Sequence, residues 1–111
     1  MSVTELPRDT RGFGIPVLRP AIAGAQTVAV TNTTNRNSTA FKADTKIISI
    51  YSTQDVHIEI GTSAVEATTS DHFIPASTYM LFSVMVGIVP FTHIAAIRAT
   101  ADGTLYISEF Q

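Results

Sequence analysis

Three side chains that could bind a metal ion occur at alternate positions of one short segment. Asp55, His57 and Glu59 are separated by single apolar residues, so an extended strand would project all three from the same face. Carboxylates and imidazoles are common metal ligands, but alternate residues of a strand lie about 6.5 to 7 Å apart, a generous spacing for one ion. A further ligand from another strand would be needed. We therefore predict a polar row on this strand, and no metal site.

Residue combinations typical of acid–base or nucleophilic catalysis do not occur at suitable spacings. Asp71 and His72 are adjacent, and neighbouring residues of an extended chain point in opposite directions, so they would not form a catalytic pair. The serines lack the Gly-x-Ser-x-Gly pattern of a nucleophile elbow. Gly12 and Gly14 have neither the preceding strand nor the following helix of a phosphate-binding loop. The sequence therefore predicts no enzyme activity, no catalytic residue and no cofactor.

Two kinds of site remain that only the fold could assemble. Carboxylates could pair as in glycoside hydrolases, although so short a chain has few loops from which to build a substrate cleft. The candidates for such a pair are Glu59, Glu66, Asp71 and Glu109. Tyrosine rings could form a platform for a sugar, and they equally suit packing between strands. The candidates for this platform are Tyr51, Tyr79 and Tyr106.

The composition is that of one small, weakly charged domain. The chain has 111 residues, of which 45% are hydrophobic and 14% are charged, whereas about a quarter are charged in ordinary soluble domains. A formal net charge of -2, without a basic cluster, argues against nucleic acid as a partner. The absence of cysteine excludes disulfides and thiolate chemistry. Such a composition fits a protein that covers part of its surface by binding copies of itself or other proteins.

The stretch from His72 to Ile97 has no formally charged residue and is long enough to cross a bilayer. Pro75, Gly87 and Pro90 interrupt it, and its apolar residues are largely β-branched or aromatic, which favours strands over a membrane helix. The first residues of the chain lack the basic and apolar regions of a signal peptide. We therefore expect synthesis in the cytoplasm and no membrane partner.

From Gln26 onward, short alternating or apolar runs follow one another at the spacing of an all-β sandwich or barrel. Of these we predict an antiparallel β-sandwich of jelly-roll type. The clearest pattern places Val56, Ile58 and Ile60 on the core side of one strand. Asp102-Gly103 lies between two strand-like runs and predicts a hairpin, whereas residues 32–38 are rich in amides and hydroxyls and predict a loop. The predicted all-β domain spans residues 25–111, with strands near 26–31, 39–42, 45–52, 55–60, 78–86, 92–99 and 104–109.

Two segments of the sequence predict contacts with other molecules. Residues 1–24 are predicted to form an extended N-terminal arm, because prolines and glycines interrupt every regular pattern. The arm carries apolar side chains that must pack either on a neighbouring subunit or along the protein's own body. The predicted strand 78–86 is apolar on both faces, so one face must be covered by something other than the core. The predicted interface residues are Phe13, Ile15, Val17, Leu18, Ile22, Tyr79, Leu81 and Met85.

From Ile50 to the end, the chain contains a series of motifs in a characteristic order. A strand ending in glycine is followed by an Asp-x-x-Ile-Pro-Ala turn, an apolar strand, an Ile-Ala-x-Ile-Arg strand and a Gly-Thr-Leu-Tyr-Ile segment. In this sequence they occupy residues 56–61, 71–76, 79–86, 94–98 and 103–107. In this order the chain resembles a class of small β-sandwich virion proteins of tailed bacteriophages.

The resemblance implies a structural protein of the virion, without catalytic residues to carry over. The specific expectation is a capsid decoration or cement protein that binds copies of itself and the major capsid protein or another virion protein. A head–tail connector or tail accessory protein is the structural alternative. A small carbohydrate-binding or receptor-binding module is the alternative from another class.

Overall fold

The computed structural model describes residues 18–86 and 89–111. These residues form ten β-strands and no helix, and hence no helix that could cross a membrane. The strands are β1 (Pro20–Val30), β2 (Asn35–Arg36), β3 (Ile47–Ser52), β4 (Val56–Gly61), β5 (His72–Ile74), β6 (Tyr79–Ser83), β7 (Met85–Val86), β8 (Val89–Pro90), β9 (His93–Arg98) and β10 (Gly103–Phe110).

Eight of the strands form two antiparallel sheets of four strands each. The first sheet has the order β1-β10-β3-β6 and the second the order β2-β9-β4-β5, while β7 and β8 form a separate hairpin. With that hairpin set aside, the first strand pairs with the last, the second with the second last, the third with the sixth and the fourth with the fifth. This nested pairing is the jelly-roll arrangement. It confirms the predicted all-β antiparallel sandwich.

The core lies between the two sheets and is built from side chains at alternate positions of the strands. Val56 and Ile58 are fully buried, whereas His57 and Glu59 between and after them are half-buried, so the predicted register of β4 is confirmed. Ile60 is half-buried and packs against the core from its margin. Both sheets and their connections contribute the other buried residues of the cluster: Val28, Val30, Phe41, Ile48, Ile50, Ile74, Val84, Ile94, Ala96, Leu105 and Ile107.

Residues 39–42 form no strand, so this prediction is wrong. The buried side-chain amide of Asn37 makes hydrogen bonds to the main chain in place of strand pairing. Asn37 Oδ1 accepts the Ile94 N–H at 2.8 Å, and Asn37 Nδ2 donates to the Thr39 carbonyl at 2.7 Å. Side-chain amides compete with strand ladders in this way. Phe41 is nevertheless buried, and its N–H donates to the Thr92 carbonyl at 2.9 Å. The short β2 instead lies inside the segment predicted as a loop.

The hairpin predicted at Asp102-Gly103 is also wrong. β9 and β10 belong to different sheets, so the chain between them crosses from one sheet to the other. Arg98 Nη1 and Asp102 Oδ1 form an ion pair of 2.7 Å across this connection. Space at position 103 is limited, because a Cβ there would lie 2.6 Å from Thr53 Oγ1 and 2.9 Å from Gln54 Cγ, so these side chains would have to shift.

This close approach predicts the effect of a single methyl group. Gly103→Ala should destabilise the protein by about 1 to 3 kcal/mol, the usual cost of overpacking. Asp102→Ala is the neighbouring control and should cost less than about 1 kcal/mol, because the ion pair that it removes is largely exposed. Urea unfolding of the two variants measures the difference. Equal stability of both would mean that the chain is not crowded at Gly103.

The predicted strand 78–86 is interrupted at Val84. β6 ends at Ser83, and Met85 begins the β7–β8 hairpin, whose residues 87–88 lie outside the described part of the chain. Val84 is buried, and its N–H donates to the Lys46 carbonyl at 3.0 Å. The chain therefore turns into the core at this point, and Tyr79 and Met85 do not share one continuous strand.

The first strand begins inside the segment assigned to the arm. Pro20 pairs with Phe110, and the next paired residue on β1 is Ala25, opposite Ser108, so residues 21–24 form a bulge. Within the bulge, Ala23 has a positive φ of 56°. A Cβ on Gly24 would lie 2.8 Å from the Ala21 Cβ. Residues 20–24 therefore belong to the sheet, and the predicted division at residue 24 differs from the observed start of β1.

Candidate interaction surface

The outward face of the first sheet carries no charged side chain. Among the residues of β1, β3, β6 and β10, all of which are described, Glu109 is the only one with a charge, and it is buried on the core side. We call the opposite side the uncharged face. Strand pairing and alternation place these residues on it: Pro20, Ala25, Thr27, Ala29, Ile47, Ser49, Tyr51, Tyr79, Leu81, Ser83, Thr104, Tyr106, Ser108 and Phe110.

Three tyrosines lie side by side across the uncharged face. Tyr106 on β10 is opposite Tyr51 on β3, which is in turn opposite Tyr79 on β6. The ring centroids of Tyr51 and Tyr79 are 4.8 Å apart. Tyr79 is 75% exposed and Tyr106 is 51% exposed. The sequence shows each tyrosine on a strand, but only the pairing of β3 with both neighbours brings the three together.

The predicted interface residues do not all lie on one surface. Tyr79 and Leu81 lie on the uncharged face, whereas Met85 is half-buried in β7. Leu18 and Ile22 are exposed at the start of the described chain and in the bulge of β1. The three remaining predicted residues lie outside the described part of the chain: Phe13, Ile15 and Val17.

The outward face of the second sheet is covered in part by the protein's own chain. The loop after β4 is fastened there by two hydrogen bonds, from Arg36 Nη1 to the Val65 carbonyl at 3.1 Å and from the Ala67 N–H to Thr34 Oγ1 at 2.8 Å. Ala95 of β9 lies on this face between Arg36 of β2 and Glu59 of β4, and it is fully buried. The described chain therefore covers part of the second sheet on this side, whereas Tyr79, Leu81 and Tyr106 on the uncharged face are exposed.

The polar row on β4 makes hydrogen bonds with nearby main-chain groups. Asp55 Oδ1 accepts the Ala76 N–H at 2.8 Å, and His57 Nδ1 lies 3.1 Å from the Asp71 carbonyl oxygen. Glu59 Oε1 accepts the N–H of the next residue at 3.2 Å. Within residues 18–86 and 89–111, no group of three His, Asp or Glu side chains is arranged to hold a metal ion.

Asp71 stabilises a turn and is not directed at His72. Its Oδ2 accepts the Thr68 N–H at 2.7 Å and lies 3.2 Å from Thr68 Oγ1. The Thr68 N–H bond is the main reason why the pKa of Asp71 lies below its ordinary value; desolvation opposes this shift, and Glu59 and His72 add to it. His72 Nε2 lies 3.9 Å from Glu59 Oε1. Asp71 is therefore ionised and occupied as a turn acceptor.

Glu109 fastens the loop before β3 to the inside of the first sheet. Its side chain is 3% exposed. Its Oε1 accepts the Lys42 N–H at 2.7 Å and the Thr45 hydroxyl at 2.8 Å, and its Oε2 lies 3.4 Å from Gln26 Nε2. This carboxylate, one of those considered for glycoside hydrolysis, is thus enclosed within the fold and lies in a different sheet from Glu59.

A groove of about 520 Å³ opens between the two sheets at the edge formed by β5 and β6. Its lining is mostly apolar and includes Met80, Phe82 and Phe91, while Glu59 and His72 supply polar groups. Of the lysines and arginines in residues 18–86 and 89–111, none lines it. The sequence did not reveal this groove, because its existence depends on which strands stand at the edges of the two sheets.

Comparison of the chain with protein-family models, with curated proteins and with solved structures gives no match. The described residues form a small jelly-roll domain with one exposed, uncharged sheet face and one mostly apolar groove.

Proposed function

We propose that this protein is a non-enzymatic structural protein of a phage virion, and specifically a capsid decoration protein that binds copies of itself and the major capsid protein. The observation that supports an assembly role is the uncharged face. It leaves Leu81 57% exposed beside the still more exposed Tyr79, and exposed apolar patches of this kind mark interaction sites. The assignment to a phage particle rests on the sequence resemblance.

The size of the uncharged face suits a contact that is repeated many times. Four strands about 4.8 Å apart and about 20 Å long give a footprint of roughly 400 Å². Each partner in a standard stable interface contributes about 800 Å². A single contact through this face would therefore be weak. In a symmetric shell many such contacts act together, and multivalency makes detachment slow.

A charge placed at the centre of the uncharged face tests this proposal. Ser49 lies between Ser108 and Leu81 in the middle of the face. Ser49→Lys should reduce binding to phage heads at least tenfold, because assembly would bury an unpaired ammonium group. Ser63→Lys adds the same charge at an exposed position of the loop after β4 and should bind like the unmodified protein. Melting temperatures of both variants should be nearly unchanged.

The number of copies per particle distinguishes the structural alternatives. A decoration protein co-purifies with heads in hundreds of copies, whereas a connector is present in about a dozen, as the symmetry of each location dictates. Quantitative mass spectrometry of purified particles gives this number.

Normal particle occupancy of the Ser49→Lys variant would show that the uncharged face is not the binding surface.

The tyrosine row favours a second candidate function, binding of a carbohydrate. Sugar rings stack on exposed aromatic side chains, and jelly rolls also occur among lectins. A sugar that binds the folded protein should raise its melting temperature. If a sugar does so, and the shift is lost in Tyr79→Ala and Tyr106→Ala but kept in Ser63→Lys, the carbohydrate-binding function replaces the decoration function.

A further inference from the structure

The sandwich core is closed at one edge and open at the other. At the β1 edge, the core-facing residues Val28 and Val30 are 3% and 0% exposed. At the β6 edge, the core-facing Met80 is 37% exposed and Phe82 is only half-buried. In the described chain, β6 has a paired neighbour on one side only, and the groove lies beside its free edge. The free edge of β6 therefore leaves the core-facing side chains of Met80 and Phe82 partly uncovered.

We infer that residues 13–17 of a second copy of this chain supply a further strand, pairing with the free edge of β6 and placing Phe13, Ile15 and Val17 in the groove. This inference rests on the proposed assembly function and names the contact between copies. Addition of an extended segment to a sheet edge is a recurrent mode of recognition, in which the main chain provides affinity and alternate side chains provide specificity.

The sequence of the segment matches a strand with one apolar side. Phe13, Ile15 and Val17 alternate with Gly14 and Pro16, so an extended chain directs all three large side chains to one face. Hydrogen-bonding groups of alternate residues point to opposite sides of a strand. Residues 13, 15 and 17 all have the N–H needed to pair with β6, and Pro16, which has none, falls on the solvent side, where proline is tolerated.

Charge complementarity points to the same partner. Arg11 is two residues before Phe13 and therefore shares its side of an extended strand. Among the described residues, Glu59 and His72 line the groove and neither lysine nor arginine does, and the Glu59 side chain is 38% exposed. An arginine carried at the end of the segment can therefore pair with this carboxylate.

Within one chain, the arm cannot place all three of these side chains in the groove. The Arg19 carbonyl accepts the Gln111 N–H at 3.0 Å, which holds residue 19 beside β10. Val17 is two residues away and can reach at most about 7 Å from it. The groove lies beyond β6, at the opposite edge of the sheet, three strand spacings or about 14 Å from β1. Only the arm of another copy can place Val17 there together with Ile15 and Phe13.

The contact also supplies what the uncharged face lacks. That face gives a footprint of roughly 400 Å², about half of each partner's share in a standard interface. A segment that buries three large apolar side chains in a groove provides the remaining contact. The arm and the face would then act together in one assembly.

Disulfide crosslinking tests the inference directly, because the natural chain has no cysteine. Full-length protein with Met80→Cys is mixed with affinity-tagged full-length protein carrying Phe13→Cys, Ile15→Cys or Val17→Cys, and the mixture is oxidised. At least one of these three should give a heterodimer at five times or more the yield of Gly14→Cys, whose side chain would point away from the groove. The control for random collision uses Asn32→Cys in place of Met80→Cys, because Asn32 is exposed in the loop after β1.

Each result supports or overturns the inference. A preference for the odd-numbered positions that is lost with the Asn32→Cys control supports it. Equal yields from odd and even positions would show chance contact and overturn it. So would a double variant, Ile15→Cys with Met80→Cys, that closes within single chains at high dilution. Particle occupancy of the Ser49→Lys variant is measured separately, so failure of the arm contact is distinguishable from failure of the decoration function.

Discussion

Glu109→Ala should lower the free energy of unfolding by about 2 to 4 kcal/mol, through the loss of two short hydrogen bonds to a buried carboxylate, partly offset by removal of the desolvated charge. The two donors are the Lys42 N–H and the Thr45 hydroxyl. Thr45 is 1% exposed, so water cannot easily replace the lost acceptor. For a domain of this size, the melting temperature should fall by about 4 to 8 °C per kcal/mol.

Two further variants separate the hydrogen bonds from the charge. Glu109→Gln keeps an oxygen that can accept both bonds and should cost less than half as much as the alanine variant. Glu66→Ala removes the same charge from an exposed side chain and should change stability by no more than about 0.5 kcal/mol. Thermal melting and urea unfolding give the comparison. If Glu109→Ala is as stable as Glu66→Ala, the buried carboxylate does not secure the loop before β3.

The sequence predicts those features of the fold that depend on local alternation. In β4, the period of two assigned Val56 and Ile58 to the core, and both are fully buried. The signal is local because successive side chains of a strand point to opposite faces whatever the partner strand is. Fold class follows from the same patterns, since many short strands with turn signals and no helical stripe leave a sandwich or barrel.

Features that depend on pairing between distant strands could not be predicted. The Asp102-Gly103 pair is a typical hairpin signal, yet β9 and β10 lie in different sheets, and the glycine serves the close approach of Thr53. In the same way, a single amide at Asn37 replaces a strand ladder at 39–42. Both outcomes depend on contacts between residues that are distant in the sequence: Gly103 and Thr53 are 50 positions apart, and Asn37 and Ile94 are 57 positions apart.

For the interaction surfaces too, the features that depend on a single strand were predicted, and those that depend on the order of the strands were not. Tyr79 and Leu81 were predicted as interface residues because their strand is apolar on both faces, and the structure places both on the outside of the first sheet. The absence of charge across four strands of this sheet is a property of the topology, since the sequence does not show which strands are neighbours. The groove is hidden for the same reason.

Ile58→Ala should cost about 2 to 5 kcal/mol of stability, as expected for a large aliphatic side chain truncated in a packed core. Ile58 is 0% exposed and belongs to the core cluster formed by both sheets. Truncation removes apolar contacts and leaves a cavity that neighbouring strands can only partly close. Urea unfolding should show a lower midpoint with an unchanged slope, because the folded state stays compact.

The residue next to it provides the matched test of register. His57 is half-buried, its Nδ1 lies 3.1 Å from the Asp71 carbonyl oxygen, and its ring centroid lies 5.3 Å from that of Phe73. His57→Ala should therefore cost only about 1 kcal/mol, the worth of one hydrogen bond and one exposed ring contact. A one-residue shift of β4 would exchange its two faces and reverse this order. If His57→Ala proves more damaging than Ile58→Ala, the faces of β4 are interchanged, and the polar row would then point into the core.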